Sequence, residues 1–244
     1  MEETVRLAAS DAPAVLCLQE LSVWALVHLP EWSAMSAVAE VARRPLPLLG
    51  ELGRTLGEVD ARRFRSGITG QANAVLLARE LTVVEHRRLV LNPFRFRRAQ
   101  ARGLDLALSE RVKWASERRV CQALRVRRGT STFVVGNLHA TGHHVDKRLA
   151  DAELLRAAVF VDGFALPDEP ILLCGDFNLS VRNSRTLGEL MSAEWGFSGA
   201  TPTGIDHILV RGLSAGPARI WPEQRRTREG RVLSDHAPVD REVE

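Results

Sequence analysis

The chain has 244 residues, 45% of them apolar and 26% charged, which excludes wholesale disorder and collagen-like repetition and allows a substantial core without disulfides. Its formal net charge is +3, too small to argue nucleic-acid binding unless the charge is locally clustered. No apolar run approaches the roughly 20 residues a membrane helix needs. MEETVRLAAS carries acids where a signal peptide carries bases, so a cytoplasmic protein with no membrane span is expected.

In chain order, residues 3–11 predict a short helix carrying Val5, Leu7 and Ala8, stopped by Asp11 and Pro13. Residues 14–20, AVLCLQE, suit a buried strand closing on Glu20. Residues 22–29 read as helical with Ser22 as N-cap, and residues 43–66 as a partly helical connection punctuated by Pro45 and Pro47. Residues 72–79 and 81–90 read as successive strands. Alternation in FRFRR (94–98) sets Phe94 and Phe96 on one face of a strand and Arg95 and Arg97 on the other.

Residues 118–127 and 131–139 form a hairpin pair around Arg128-Gly129-Thr130. Residues 147–163 predict a helix with Leu149, Leu154, Leu155, Ala158 and Val159 on one face. Residues 170–176, 205–211 and the tail around 235–243 complete the strands. No internal repeat or long linker interrupts this order, so a single mixed α/β or α+β domain over residues 1–244 is expected. Cys17, Cys121 and Cys174 are odd in number, widely spaced and set in apolar runs. They read as buried reduced thiols, and without a CxxC a zinc ribbon or thioredoxin-type site is disfavoured.

Several apolar strands end in polar residues: Glu20, His139, the pair Asp176 and Asn178, Asp206 with His207, and Asp235 with His236. One such residue is ordinary turn chemistry, but a coincidence on five strands is much harder to credit. Residues i and i+2 on a strand share a face, which brings Asp176 and Asn178 together. The carboxylates Glu20, Asp176 and Asp235 with an amide oxygen suit a hard cation such as Mg²⁺ or Mn²⁺. His139 and His236 supply a general base and a donor to phosphate oxygen, with Asp206 holding His236 in one tautomer. Metal, base and oriented water are the parts of metal-assisted phosphoester hydrolysis.

The segments Leu18-Gln19-Glu20, Gln71-Ala72-Asn73-Ala74-Val75, Asn137-Leu138-His139, Gly175-Asp176-Phe177-Asn178, Ile205-Asp206-His207-Ile208-Leu209 and Ser234-Asp235-His236-Ala237-Pro238 occur in this order. Together they resemble the endonuclease/exonuclease/phosphatase superfamily across residues 18–238. The resemblance implies an α+β fold, a four-layer α/β/β/α sandwich of two mostly antiparallel sheets. It implies Glu20 as principal metal ligand and Asp235 as a second, with Mg²⁺ or Mn²⁺ bound. Asp176 would orient or activate the attacking water, Asn178 would contact the scissile phosphate, and His139 and His236 would stabilise its oxygens while Asp206 orients His236. Asn73 and Asn137 fall on the substrate side, Asn73 through supporting hydrogen bonds. The family's usual opening strand, which carries a Trp-Asn-type pair, has no counterpart before Glu20, so the expected fold lacks that first strand. Some members place a tyrosine near the phosphate, and this chain has none.

Only Lys113 and Lys147 are lysines, leaving 31 arginines, and arginine grips phosphate bidentately. Clusters fall at Arg62/63/65, Arg87/88, Arg95/97/98, Arg118/119, Arg125/127/128 and Arg225/226/228. Basic residues interleaved with aromatics in FRFRR suit a nucleic-acid backbone. Arg225 and Arg226, just before Ser-Asp-His-Ala-Pro, are the candidates for substrate phosphate contact. His139, His143, His144 and Asp146 resemble a zinc set superficially, yet no HExxH accompanies them. The expected activity is a nuclease-like phosphodiesterase with a phosphoester substrate, nucleic acid among the candidates. A phosphomonoesterase or sphingomyelinase-like enzyme is the nearer alternative, and an inactive truncated product or a nucleic-acid-binding module the more distant one.

Overall fold

The computed structural model describes residues 1–45, 69–142 and 146–244. The expectations for Arg62, Arg63, Arg65, His143, His144 and most of the 43–66 connection lie outside the described residues. The chain divides into two compact units, Met1–Thr82 with Trp221–Pro238, and Val83–Ile220 with Val239–Glu244.

The first unit opens with helix α1 (Glu2–Ala9) and strand β1 (Val15–Leu21). A 3₁₀ turn at Val23–His28 leads into α2 (Leu29–Ser33) and β2 (Ser36–Arg43). Ser22 precedes the turn, but its hydroxyl donates to Thr69 Oγ1 rather than capping it. Strand β3 (Gln71–Leu77) is central in the antiparallel order β1-β3-β2. Alternation along β3 sends Ala72, Ala74 and Leu76 into a core with Val5, Leu21, Ala25, Leu29 and Trp32. A side chain as fully buried as Leu29 stabilises the fold by about 1.5–3 kcal/mol. Gln71 and Asn73 fall on the opposite face of the same strand. The β1–β3 register shifts between Leu18 and Leu21, and Glu20 sits in that bulge with φ +57°.

The later segment of this unit holds a tight hairpin of β10 (Thr227–Arg228) and β11 (Arg231–Val232). Both of its turn residues, Glu229 and Gly230, have positive φ, the pattern of a type I′ turn. The expected strand around 235–243 shrinks to β12 (Val239–Asp240), which pairs with β9 (Arg219–Ile220) in the second unit. Asp235 and His236 lie in the loop ahead of it, where the Ser234 hydroxyl accepts the His236 backbone N–H at 3.2 Å.

The second unit carries the five-stranded order β4-β5-β6-β7-β8. Its strands are β4 (Leu81–Val90), which begins at the boundary, β5 (Val120–Arg128), β6 (Ser131–His139), β7 (Ile171–Asp176) and β8 (Asp206–Arg211). Gly129-Thr130 closes the β5–β6 hairpin, with Gly129 at φ +59°. Strands β6 and β7 run parallel, so the chain crosses over between them through α5 (Lys147–Asp162). Buried Ala150, Leu154, Ala157, Ala158 and Val161 pack against Leu138, Ile171, Leu173 and Leu209. Leu155 and Val159 were expected on this inward face but are exposed. The buried stripe turns toward positions 150, 153 and 157 instead, because small alanines let the helix approach the sheet closely.

Residues 94–98 are not a strand. They open α3 (Phe94–Gly103), which is followed by α4 (Leu108–Ser116). Pro93 sits at the N-cap in extended conformation, and Arg, Ala and Gln favour the helix that follows. Phe96 packs edge-on against Trp114 at 6.2 Å, with the Arg156 guanidinium 4.5 Å above its ring, while Phe94 is exposed. A short helix α6 (Arg185–Leu190), capped by Ser184, precedes β8. Cys121 and Cys174 are buried free thiols as expected, and burial pushes the Cys121 thiol up. Cys17 is only half-buried. The protein is α+β with two main sheets, mostly antiparallel.

Candidate active site

Within the second unit, four of the expected site residues gather where β6 and β7 end and β8 begins. His139 and Asp176 are register partners across the parallel pair, and His139 Nε2 lies 3.5 Å from Asp176 Oδ2. Asp176 and Asp206 face each other across the antiparallel β7–β8 pair. Directly opposed like charges are destabilising on a sheet, so this juxtaposition favours a cation nearby.

Asn178 does meet Asp176, but not by strand alternation. The strand ends at Asp176, and Asn178 turns back with φ +53°, a conformation asparagine tolerates better than most residues. Its backbone N–H donates to Asp176 Oδ1 at 2.8 Å. Its Nδ2 donates to Asp176 Oδ2 at 3.1 Å and to the Ala140 carbonyl at 3.0 Å. Gly175, just before Asp176, lets β7 approach β6 closely. It has φ +137°, and a Cβ there would lie 1.9 Å from the Leu138 carbonyl oxygen.

Behind His139 stands buried Arg119. Its Nη1 lies 2.8 Å from Nδ1 and 2.9 Å from Nε2 of the imidazole, and Nη2 donates to Glu117 at 2.6 Å. A guanidinium can only donate, so it pairs with an imidazole nitrogen that accepts. Asn92 fixes this segment by accepting the Arg119 N–H at 3.0 Å and donating to the Glu117 carbonyl at 2.5 Å. A second support comes from Glu153 on α5, which is fully buried. It accepts from Trp114 Nε1 at 2.9 Å, from the Thr141 N–H at 2.7 Å and from the Thr141 hydroxyl at 2.9 Å. Burial pushes this carboxyl above its ordinary value, while those donors and the charge of Arg119 pull it back.

His207 is structural. Its Nδ1 accepts the Thr201 N–H at 2.9 Å and its Nε2 donates to the Leu179 carbonyl at 2.8 Å, so both nitrogens are occupied by a neutral ring that steadies the loop after Asn178. Burial lowers its pKa from the ordinary value, against the Leu179 carbonyl and the charge of Asp206. Asn137 is fully buried in β6. Asp146 caps α5 by accepting the Arg148 N–H at 2.9 Å, and its hydrogen bond to the Arg148 side chain holds its carboxyl below the usual range.

The first unit contributes a second group. Glu20 accepts from Gln71 Nε2 at 3.0 Å, and Asn73 lies buried two residues along the same strand face. Asp235 is exposed and His236 half-buried. Arg225 pairs with Asp11 and lies 3.6 Å over the Trp221 ring. Arg226 donates to the Ser234 carbonyl. Gln71, Arg119, Glu153 and His207 were not singled out as site residues. Gln71 had a readable signal, its i−2 spacing from Asn73. So did Glu153, an acid inside the apolar stripe of a helix.

Residues 1–236 match the model of the Endonuclease/Exonuclease/phosphatase family. The chain belongs to this family. No curated protein matches the sequence. Among solved structures, the endonuclease/exonuclease/phosphatase from Bacteroides vulgatus is 15% identical with a TM-score of 0.68, covering 100% of this chain and 89% of its own. A mannosyl-6-phosphatase of Bacteroides thetaiotaomicron VPI-5482 is 16% identical with a TM-score of 0.65, covering 99% and 89%. The catalytic domain of human Nocturnin, solved with bound sulfate, is 16% identical with a TM-score of 0.58, covering 89% and 78%. At these identities the likeness is one of fold. Among the described residues, no helix is long and apolar enough to cross a membrane.

Proposed function

We propose that the chain is a divalent-metal-dependent phosphoester hydrolase, acting first of all on phosphodiesters. The reading rests on one observation above all: Asp176, Asn178, Asp206 and His139 converge on adjoining strand ends. Family membership supports it. Glu20 and Asp235 would hold Mg²⁺ or Mn²⁺, and the hydrogen bond from Gln71 orients the Glu20 carboxylate as an outer partner orients a ligand. When bound, the ion would polarise a phosphoryl oxygen as a Lewis acid. Asp176 orients the attacking water. Asn178 Nδ2 donates to both Asp176 and the Ala140 carbonyl, so it would meet the scissile phosphate by exchanging the Asp176 hydrogen bond for one to a phosphoryl oxygen. His139 and His236 would stabilise its oxygens by donating hydrogen bonds, Asp206 would add a second carboxylate opposite Asp176, Asn73 and Asn137 would line the substrate side, and Arg225 and Arg226 would attract the substrate's charge.

The test is hydrolysis of bis-p-nitrophenyl phosphate with Mg²⁺ or Mn²⁺ and with EDTA. Metal-dependent turnover that disappears in His236→Ala is expected. A phosphomonoesterase is the second reading, favoured by the fold shared with a mannosyl-6-phosphatase. Turnover of p-nitrophenyl phosphate in preference to the diester would select it.

A further inference from the structure

Helices α3 and α4 line an open cavity of about 360 Å³ whose lining includes Arg97, Arg98, Arg102 and Arg111, with Phe94 and Trp114. No carboxylate lines it, and α3 contains no acidic residue. Among the described residues, none of the four guanidiniums forms an ion pair. Three of them are aimed by backbone carbonyls instead. Arg97 Nη1 donates to Asn92 at 2.8 Å, Arg111 Nε to Leu106 at 2.8 Å, and Arg102 Nε to Arg98 at 3.4 Å. Four like charges around one hollow repel one another, and an anion in the hollow relieves that repulsion.

We infer that this groove binds single-stranded nucleic acid. A strand carries one phosphodiester per nucleotide, so successive phosphates can each take a guanidinium, which binds phosphate bidentately. The ring of Phe94, 67% exposed at the rim, offers a face on which a base can stack. Arg98, Arg102 and Arg111 are exposed residues that line this concavity, so their guanidiniums stay within reach of the phosphates of a strand laid along it. The groove lies wholly in the second unit, and its function is separable from hydrolysis.

The experiment is fluorescence anisotropy of a labelled oligothymidylate of about twelve nucleotides, within the usual span of single-strand sites. It is run on the full chain in EDTA, so that its outcome does not depend on whether the chain cleaves phosphoesters. Binding that weakens with salt is expected. Arg98→Ala/Arg102→Ala should bind at least about tenfold more weakly, with a log–log salt slope shallower by about 1.4. The exposed hairpin pair Arg127→Ala/Arg128→Ala removes the same charge elsewhere and should bind as the wild type does. No binding by the wild type, an equal loss in the control pair, or binding to phosphatidylserine vesicles in place of the oligonucleotide would each overturn the inference.

Discussion

Glu153 accepts the backbone N–H of Thr141 at 2.7 Å, and so a buried carboxylate on α5 fixes the chain two residues beyond His139. The same carboxylate holds Trp114 Nε1 at 2.9 Å. An amide cannot accept on both sides. In Glu153→Gln, an NH₂ group therefore faces either the Trp114 N–H or the Thr141 N–H, an unmet donor worth about 1–3 kcal/mol. We expect urea unfolding to report a loss in that range. If the carboxylate positions His139, kcat falls by about tenfold or more at unchanged KM, whereas a purely structural role leaves kcat intact.

Gly175 tests how tightly β6 and β7 must approach. A methyl group there would overlap the Leu138 carbonyl, and the φ of +137° is unsuited to alanine. Relief requires moving the strand that carries Asp176, and a displacement of about 1 Å can cost 10²-fold in rate. Gly175→Ala should lose about 10²-fold in kcat/KM, together with a lower melting temperature in calorimetry.

His207 predicts a pH dependence of stability. Burial holds its folded pKa below the unfolded value near 6.5. Its contribution is therefore present above pH 6.5 and is lost as pH falls toward the lowered folded value, because the unfolded chain binds the proton first. Glutamine can accept from Thr201 and donate to Leu179 without titrating. Urea melts between about pH 7.5 and 5.5 should show wild-type stability declining with acid, and His207→Gln should flatten that part of the decline.

Glu20 occupies a bulge with φ +57°, a conformation that costs a non-glycine residue about 1–2 kcal/mol. Strain of this kind collects at functional sites. Glu20→Gly removes it along with the carboxylate. The variant should melt no lower than wild type by more than about 1 kcal/mol of stability, since glycine's own entropy partly offsets the relief. It should nonetheless be inactive in a phosphoester assay.

Local chemistry made some of this molecule legible from the sequence. Arg128-Gly129-Thr130 specified its hairpin because glycine supplies the positive φ the turn needs, and residues 170–176 read as a strand because Ile-Leu-Leu-Cys is a continuous apolar run ahead of Gly175 and Asp176. FRFRR misled because the same spacing serves a strand face and a helix whose Phe96 packs on Trp114. Strand β2 was not anticipated: SAVAEVAR is alanine-rich, has weak strand preference, and pairs only because β3 lies beside it. At the site, the polar strand ends announced themselves as a set. The pairing of His139 with Arg119 and of Thr141 with Glu153 joins residues 20 and 12 positions apart, and no local pattern encodes such contacts. Asp176 and Asn178 were rightly brought together but for a different physical reason, a left-handed turn instead of a shared strand face.

Hydrolysis by this chain is expected to depend on Asp176. The most direct test is kcat/KM for bis-p-nitrophenyl phosphate with Mn²⁺ or Mg²⁺, measured for wild type and for Asp176→Ala after calorimetry has shown both to be folded. Removing a group that orients or activates the attacking water should cost about 10²–10⁴-fold, so activity is expected to fall to the EDTA background. Wild-type turnover that a folded Asp176→Ala retains to within about tenfold would contradict the account.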